Sequence, residues 1–184
     1  REIKEVNSGM YCFTIRHLLD SLNKLNNNNS QGEYYLTDTL EILIKQNLKV
    51  GASKVGDAGE ILGINDRVQL AQASEIMRQR ILEKLMRAGV TIIDPASTYI
   101  SSEAVIGTDT IIMPGTIIER DTVIGEDCTI GPNSRIVCAR IADRAEVNNS
   151  VVLESSIGED THVGPFAYIR PGSEIGNNVK VGDF

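Results

Sequence analysis

Tryptophan is absent from this chain of 184 residues, and aromatic residues make up only 4% of it. Histidine occurs twice and cysteine three times, without the CxxC spacing of zinc sites or the even number of a disulfide framework. No stretch approaches the roughly 20 consecutive apolar residues that cross a bilayer, and the opening residues carry no hydrophobic signal segment. We therefore predict a cytoplasmic protein with reduced cysteines and no membrane span.

Positive charge is also scarce. Eighteen Lys and Arg residues stand against 25 Asp and Glu, which gives a formal charge of −7. This balance excludes general nucleic-acid binding, because phosphate backbones are held by clustered basic side chains. A small phosphorylated substrate is still allowed, since one local cation suffices to bind it. With 41% hydrophobic residues, the chain is long enough to form one or two globular domains.

A repeat of six residues dominates the second half of the chain. One block has isoleucine at every sixth position, and these residues are Ile100, Ile106, Ile112, Ile118, Ile124, Ile130 and Ile136. A second block starts at Val151 and continues through Ile157, Val163, Ile169, Ile175 and Val181. Between the blocks the spacing is irregular, which predicts a loop or an irregular corner near residues 139–150.

Small residues and turn formers accompany this repeat. The position four residues after each apolar residue is small, as at Thr110, Thr116 and Thr122, and Gly often follows the apolar residue directly. Gly, Asp and Asn are typical of sharp turns. Six residues therefore describe a short strand and a turn, and three such faces make a triangular coil in which Ile100, Ile118 and Ile136 stack. The pattern resembles the hexapeptide repeat of left-handed parallel β-helices.

Residues 1–99 have helical and mixed patterns instead. The opening REIKEVNSGMYCF and LKVGAS, residues 48–53, alternate like strands, whereas helical spacing follows Thr14 and Thr37. A longer helix is predicted from about Asp66 to Ala88, closed by Gly89. Its apolar face is predicted to comprise Leu70, Ala73, Met77, Ile81 and Leu85. The first half is thus predicted to be α/β, joined by one helix to the β-helix.

Few residues point to chemistry from spacing alone. Thr37 and Asp66 are typical helix-end residues, and the tyrosines near residue 35 suit half-buried packing. Asn65 offers one amide oxygen, and a single neutral ligand cannot make a metal site. His17 and His162 are too few for the histidine-bound zinc of carbonic anhydrases, and His162 is predicted to point outwards.

Several longer motifs are similar to those of one family. They are EVNSGMYCF, NNNNSQGEYYLTD, GINDRVQLAQA, LMRAGVTIIDPAST and GPFAYIRPGSEIGNNVKVGDF, in this order along the chain. Together they resemble the bacterial bifunctional UDP-N-acetylglucosamine pyrophosphorylase / glucosamine-1-phosphate N-acetyltransferase (GlmU) family over the whole chain. The resemblance implies that residues 1–67 belong to a Rossmann-like nucleotidyltransferase domain, residues 68–88 to a linker helix and residues 89–184 to an acetyltransferase domain with a left-handed parallel β-helix.

The resemblance also implies two reactions. One joins UTP to N-acetylglucosamine-1-phosphate with Mg²⁺, giving UDP-N-acetylglucosamine and pyrophosphate, and the other acetylates glucosamine-1-phosphate from acetyl-CoA. Both serve peptidoglycan synthesis in the cytoplasm, and the family forms homotrimers. Two rival interpretations are another sugar-1-phosphate nucleotidyltransferase with a β-helix cap, such as one making ADP-glucose, and a trimeric β-helix module without chemistry.

Site residues follow from the resemblance at matching positions. Asn7 is implied to contact the sugar nucleotide, and Asn65 to bind both Mg²⁺ and the sugar nucleotide. Tyr35 and Thr37 are implied to line the same pocket, and Arg170 to belong to the acetyltransferase pocket, where its planar guanidinium suits a sugar phosphate.

The family's remaining site residues have no counterpart in this sequence. These are the phosphate-binding loop with its lysine, the aspartate that shares Mg²⁺, and the catalytic histidine, which would lie beyond residue 184. The chain is therefore expected to be an internal fragment that catalyses neither reaction by itself.

Overall fold

A computed structural model describes residues 5–182, which form two compact units. The first unit runs to Asn65 and contains helices α1 (Ile15–Leu22) and α2 (Asp38–Lys45) and a short 3₁₀ helix (Ala58–Ile61). The second begins at Asp66 and contains helix α3 (Arg67–Arg87), followed by sixteen short strands. Within residues 5–182, no helix combines the length and the apolar character that crossing a bilayer requires.

The strands form three parallel sheets, each made of every third strand. The first sheet contains β1 (Thr91–Ile92), β4 (Ile111–Ile112), β7 (Thr129–Ile130), β10 (Glu146–Val147), β13 (His162–Val163) and β16 (Lys180–Val181). The second contains β2 (Tyr99–Ile100), β5 (Ile117–Ile118), β8 (Arg135–Val137), β11 (Val151–Leu153) and β14 (Tyr168–Ile169). The third contains β3 (Val105–Ile106), β6 (Val123–Ile124), β9 (Arg140–Ile141), β12 (Ser156–Ile157) and β15 (Glu174–Ile175). Successive strands therefore visit the three sheets in turn, and the predicted three-sided parallel β-helix is confirmed.

The repeated aliphatic residues fill the interior of this β-helix. Ile112, Ile130 and Ile136 are fully buried, while the preceding residue of each strand faces outwards. The predicted ladder is confirmed, because Ile118 pairs in register with Ile100 on one side and with Ile136 on the other. Stacking places each branched side chain on another branched one, as Ile130 on Ile112 and Val147 on Ile130, which suits the flat interior of a coil.

Small hydroxyl residues at the corners link successive coils. The Thr110 hydroxyl donates to the Gly125 carbonyl at 2.8 Å and accepts from the Cys128 N–H at 3.0 Å. Backbone N–H donors of the next coil also reach hydroxyls in the pairs Ser150–Ser134, Ala167–Ser150 and Val179–Thr161. The small residues of the repeat thus satisfy buried backbone donors that the strands leave unpaired.

The break in the repeat is handled by shorter corners, not by a loop. Strands β9 and β10 lie within the predicted irregular segment, and the interior residue of β11 is Val152, which is fully buried, whereas Val151 faces outwards. The prediction that Val151 faces inwards is therefore wrong. Three corners are one residue shorter than the regular ones. In each of them the residue at positive φ follows the interior residue by two positions instead of three, and these residues are Cys138, Asn149 and Glu154.

Helix α3 packs on the first coil through only part of the predicted face, together with Leu82. Leu82 is the buried residue, with 2% exposure, and Ile81 and Leu85 pack partly against the core. Leu70 and Met77 are each 51% exposed, so their predicted burial is wrong. Arg78 also takes part in this packing, since its guanidinium lies 4.9 Å from the centre of the Tyr99 ring. That guanidinium also donates to the Ala96 carbonyl and Glu75.

The first unit contains helices but no strands among its described residues. Residues 5–13 and LKVGAS are not strands, so both strand predictions are wrong for the described residues. An extended segment becomes a strand only when a neighbour accepts and donates its backbone hydrogen bonds, and alternation alone does not provide one. Thr37 precedes α2 but its hydroxyl makes no capping bond, which corrects the predicted cap. The predicted division at residues 67, 88 and 184 into functional domains stays a prediction.

Candidate functional site

Asn7 lies at the edge of a cavity in the first unit. The cavity has a volume of about 730 Å³, and its polar lining includes Asn7, Ser8, Tyr11, His17 and Lys49. The Asn7 amide nitrogen donates to the Tyr11 hydroxyl at 2.6 Å, and its oxygen accepts from the Gly9 N–H at 3.1 Å. These two bonds orient the amide, although the side chain is exposed. The predicted ligand residue therefore sits beside a space large enough for a small molecule.

His17 and Lys49 line this cavity but were not singled out from the sequence. His17 lies on α1, and Lys49 lies within a segment predicted to be a strand. The remaining lining is largely apolar and includes Phe13, Leu43 and Val50. Only the three-dimensional arrangement brings these separate segments together.

Tyr35 and Thr37 are not among the residues that line this cavity. Tyr35 is half-buried and its hydroxyl donates to the Gln31 side chain, so it holds the chain segment that leads into α2. Thr37 is exposed at the start of α2. Their implied place in a common pocket with Asn7 stays a prediction.

Asn65 is exposed and immediately precedes Asp66, whose carboxylate accepts from the Gln69 N–H at 2.8 Å and so caps α3. Within residues 5–182 there is no group of three or more His, Cys, Asp or Glu side chains that could hold a metal ion. Mg²⁺ needs about six oxygen ligands, usually with one or two carboxylates. The implied role of Asn65 as a ligand of Mg²⁺ stays a prediction.

Arg170 begins a tight turn at a corner of the β-helix. Strand β14 ends at Ile169, and the chain turns through Arg170, Pro171, Gly172 and Ser173 before β15. The Ser173 N–H donates to the Arg170 carbonyl at 3.2 Å, and Gly172 has a φ of +78°. Proline second and glycine at positive φ third are the marks of a type II turn. The turn presents the Arg170 side chain to solvent.

The charge around Arg170 differs from that around Arg135 and Arg144, whereas Arg120 and Arg140 resemble Arg170 in making no ion pair among the described residues. Arg135 pairs with Glu119 at 2.7 Å, and Arg144 pairs with both Glu159 and Asp160 at 2.8 Å. The hydrogen bond from Arg144 lowers the pKa of the Asp160 carboxyl below its ordinary value. Arg135 and Arg144 are therefore neutralised by acidic partners.

Arg170 makes no ion pair with any residue between positions 5 and 182. On the preceding coils, the residues that follow the interior positions are Leu153 and Val137, which pair in register and are both half-buried. The two residues in the equivalent position on the coils below Arg170 are therefore apolar, and no carboxylate of residues 5–182 pairs with its guanidinium. An exposed planar fork without a partner is suited to a phosphate or carboxylate ligand.

His162 faces outwards on β13, as predicted. Its Nδ1 lies 2.8 Å from a carboxylate oxygen of Glu146, the residue beside it on β10. Both side chains are about half exposed. This pair joins two neighbouring coils at the surface and is separate from the turn at Arg170.

Two exposed aromatic residues precede Arg170, and the sequence reasoning did not consider them. Phe166 is 70% exposed with a φ of +59°, at a corner where other coils place Asn133 or Asn149, and Tyr168 is 60% exposed on β14. A bulky residue in the left-handed region is unusual and marks local strain. The signal that could have found Phe166 is its place in the turn, where the repeat otherwise has turn formers.

Comparison with known proteins identifies the family of this chain. Residues 88–184, just over half of the chain, match the family model described as "GMPPB C-terminal domain". The chain belongs to that family. Its resemblance to the GlmU proteins is also confirmed by relatives of high identity that align over its whole length.

The relatives are considerably longer than this chain. The protein called "Bifunctional protein GlmU" from Acetivibrio thermocellus is 68% identical over 184 residues, and that from Clostridium acetobutylicum is 55% identical over 183 residues. Each alignment covers 100% of this chain and 40% of the relative, so the chain spans about two fifths of their length. A solved structure, the acetyltransferase domain of PglB from Neisseria gonorrhoeae, is 17% identical with a TM-score of 0.49. That alignment covers 59% of this chain and 55% of the PglB domain.

Proposed function

We propose that this chain is part of a bifunctional enzyme that makes UDP-N-acetylglucosamine for peptidoglycan synthesis. In this proposal the β-helix contributes to the acetylation of glucosamine-1-phosphate from acetyl-CoA. The first unit contributes to uridylyl transfer from UTP to N-acetylglucosamine-1-phosphate. The observation that carries the proposal is the exposed, unpaired guanidinium of Arg170 on a β-helix whose sequence aligns throughout with GlmU proteins.

Arg170 would hold the phosphate of the sugar acceptor. Its guanidinium can donate two parallel hydrogen bonds to phosphate oxygens, which fixes both the position and the orientation of the sugar. The sugar amine would then attack the thioester carbonyl of acetyl-CoA, forming the amide and releasing the CoA thiol, while a general base takes the proton from the amine. Arg170 supplies binding and orientation in this reaction and transfers no proton.

Asn7 would contact the sugar nucleotide in the uridylyl transfer. Its amide is held by Tyr11 beside the cavity of the first unit and offers both a donor and an acceptor to a ligand. We place Asn65, Tyr35 and Thr37 in the same reaction from the family resemblance. Mg²⁺ supplies charge stabilisation at the phosphates in such reactions, and Asn65 would be one of several ligands for it.

The same resemblance supports three further features of the complete protein. We infer that the β-helix coils with a left hand, that the protein is a homotrimer and that it acts in the cytoplasm. A left-handed crossover is an exception to the usual rule for parallel strands, and hexapeptide repeats are the known setting for it. Analytical ultracentrifugation of the complete protein tests the trimer directly.

Substitution at Arg170 tests the acetyltransferase assignment in the complete protein. Arg170→Ala should raise the KM for glucosamine-1-phosphate about ten- to hundredfold, because a charge-assisted hydrogen bond contributes about 1.5–3 kcal/mol. Arg170→Lys keeps the charge but loses the planar guanidinium, so its KM for glucosamine-1-phosphate should lie between those of the wild-type protein and Arg170→Ala. Uridylyl transfer should stay near normal in both variants.

Matched variants separate the two reactions. Asn7→Ala and Asn65→Ala should impair uridylyl transfer and spare acetyl transfer, and Arg140→Ala, at another exposed arginine of the β-helix, should spare both. Equal loss of both reactions in Arg170→Ala would contradict the assignment. A complete protein that transfers nucleotidyl groups but never acetyl groups would instead favour a nucleotidyltransferase with a β-helix cap.

A further inference from the structure

Several corners of the β-helix share one hydrogen bond between successive coils. A hydroxyl at the small inward position accepts the N–H of the residue in the same place on the next coil, as Thr110 does from Cys128 at 3.0 Å and Thr161 does from Val179 at 3.2 Å. Ser134 accepts in the same way from Ser150 at 3.2 Å, whereas the hydroxyls of Thr116 and Thr122 contact carbonyls of their own turns. In the corner before β15, the donor in the equivalent place for Ser155 is the N–H of Ser173.

The corner at Arg170 lacks this bond between coils. The Ser173 N–H donates to the Arg170 carbonyl instead, at 3.2 Å. The Ser155 hydroxyl has no hydrogen-bond partner among the described residues, although Ser155 is only 8% exposed. A buried hydroxyl without a partner is destabilising. The chain thus tolerates a local loss of stability at the place where the turn closes on Arg170.

The turn holds the backbone of Arg170 by more than one contact. The Ser173 hydroxyl donates to the same Arg170 carbonyl at 2.7 Å, which is shorter than the N–H contact. The Gly172 N–H donates to the Glu154 carbonyl of the preceding coil at 2.8 Å. The Arg170 carbonyl is therefore tied to its own turn, and the turn is tied at Gly172 to the coil beneath.

We propose that Ser173 is a positioning residue for Arg170. Its hydroxyl fixes the Arg170 carbonyl and, with it, the direction in which the arginine side chain leaves the backbone. The inference depends on the proposed function, in which Arg170 holds the phosphate of the sugar acceptor. A long side chain that starts from a fixed peptide samples fewer positions, so less entropy is lost when the guanidinium binds its ligand. The unpartnered Ser155 hydroxyl is a local conflict of the kind found at functional sites.

Removing one hydroxyl tests this role in the complete enzyme. Ser173→Ala should raise the KM for glucosamine-1-phosphate about three- to tenfold, because a single hydrogen bond contributes about 0.5–1.5 kcal/mol. The KM for acetyl-CoA and the kcat of acetyl transfer should change less than about twofold, since the effect lies in acceptor binding. Ser173→Thr, which keeps the hydroxyl, should restore the KM.

Ser155→Ala is the matched control, because it deletes a hydroxyl of the same kind on the preceding coil that makes no hydrogen bond. It should leave both KM values at the wild-type level and leave the melting temperature unchanged or raised. A general loosening of the corner would make Ser155→Ala and Ser173→Ala behave alike. That result would overturn the positioning role.

A second variant covers the case in which Ser173→Ala folds poorly. Gly172 has a φ of +78° and open space around the position of a Cβ, so Gly172→Ala strains the turn without a steric clash. It should raise the same KM as Ser173→Ala. If Arg170→Ala impairs acceptor binding while Ser173→Ala and Gly172→Ala do not, the inference is wrong and the proposed function stands. If Arg170→Ala has no effect, the proposed role of Arg170 itself is wrong.

Discussion

The two units of this chain differ in how they use their apolar residues. In the β-helix, nearly every strand contributes one aliphatic side chain to a continuous interior, and Ile112, Ile130 and Ile136 are completely buried. In the described part of the first unit, Leu43 is the buried apolar residue, while Ile15 and Leu19 on α1 are 66% and 54% exposed. An amphipathic helix buries its apolar face only against another element, whereas each coil of the β-helix packs its apolar residues against those of the next coil.

The comparison predicts very different protection from hydrogen exchange. Amides in the β-helix strands should exchange at least about a thousandfold more slowly than those of α1 and α2, because global unfolding costs about 5 kcal/mol or more and local opening costs much less. Exchange followed by mass spectrometry on the 184-residue chain measures this. Similar protection in the two units would show that the first unit has a closed core after all.

A pair of neighbouring isoleucines sharpens the comparison within one strand. Ile112→Ala should lower the free energy of unfolding of the β-helix by about 2–5 kcal/mol, because it leaves a cavity in a fully buried site. Ile111→Ala removes the same atoms from an outward position and should cost less than about 1 kcal/mol. Leu19→Ala, in the first unit, should leave β-helix unfolding unchanged. Denaturant titration gives all three values, and equal losses for Ile111 and Ile112 would contradict the inward and outward assignment.

Close approach of coils gives a smaller effect. A Cβ added at Gly125 would lie 2.7 Å from the Asp143 backbone nitrogen, so Gly125→Ala should destabilise the β-helix by about 1–3 kcal/mol. Gly176 occupies the same corner position three coils later and has open space around it, so Gly176→Ala is the control. Thermal unfolding followed by circular dichroism distinguishes them. A normal melting temperature for Gly125→Ala would mean that the coils can move apart.

The smallest predicted effect depends on pH. The pKa of Asp160 is lowered in the folded protein by Arg144, so the pair stabilises the fold above the ordinary carboxyl pKa of about 3.9 and loses this effect as the pH falls through the lowered value. Arg144→Gln should therefore reduce the melting temperature slightly near neutral pH and not in strong acid. The Lys45–Glu41 pair of α2 lowers the Glu41 pKa in the same direction and provides the comparison in the first unit. If the melting temperature of Arg144→Gln were still lower than that of the wild-type protein in strong acid, the loss of stability would not come from pairing with the ionised Asp160.

The sequence predicts the β-helix well because its signal is local and repeated. Each isoleucine of the first block reports the same environment, so one interpretation accounts for Ile100 through Ile136. The prediction of which residue faces inwards fails at Val151, since two adjacent valines carry no information about which one is interior. The strand predictions for LKVGAS and for residues 5–13 fail for a different reason, because a strand depends on a partner that alternation does not identify.

The candidate sites show the same division. The presence of Arg170 and Asn7 at matching positions could be inferred from family motifs, but their surroundings could not. That Arg170 has no acidic partner, whereas Arg135 and Arg144 do, depends on residues about 16 positions away on neighbouring coils. The RPGS turn could have been predicted from proline and glycine alone. The unpartnered Ser155 hydroxyl could not, because it follows from the failure of a hydrogen bond between two coils.

The shortened corners bear on how this column can change in evolution. Each lost residue is removed from the bend before the left-handed position, so the two-residue strands on either side keep the same side chains pointing inwards. Single deletions at a bend are therefore expected to be tolerated, whereas a deletion inside a strand would exchange interior and exterior residues for the next face. A lineage could thus trim or extend individual turns and leave the lining intact, which would move surface groups such as the guanidinium of Arg170 by small steps around the axis.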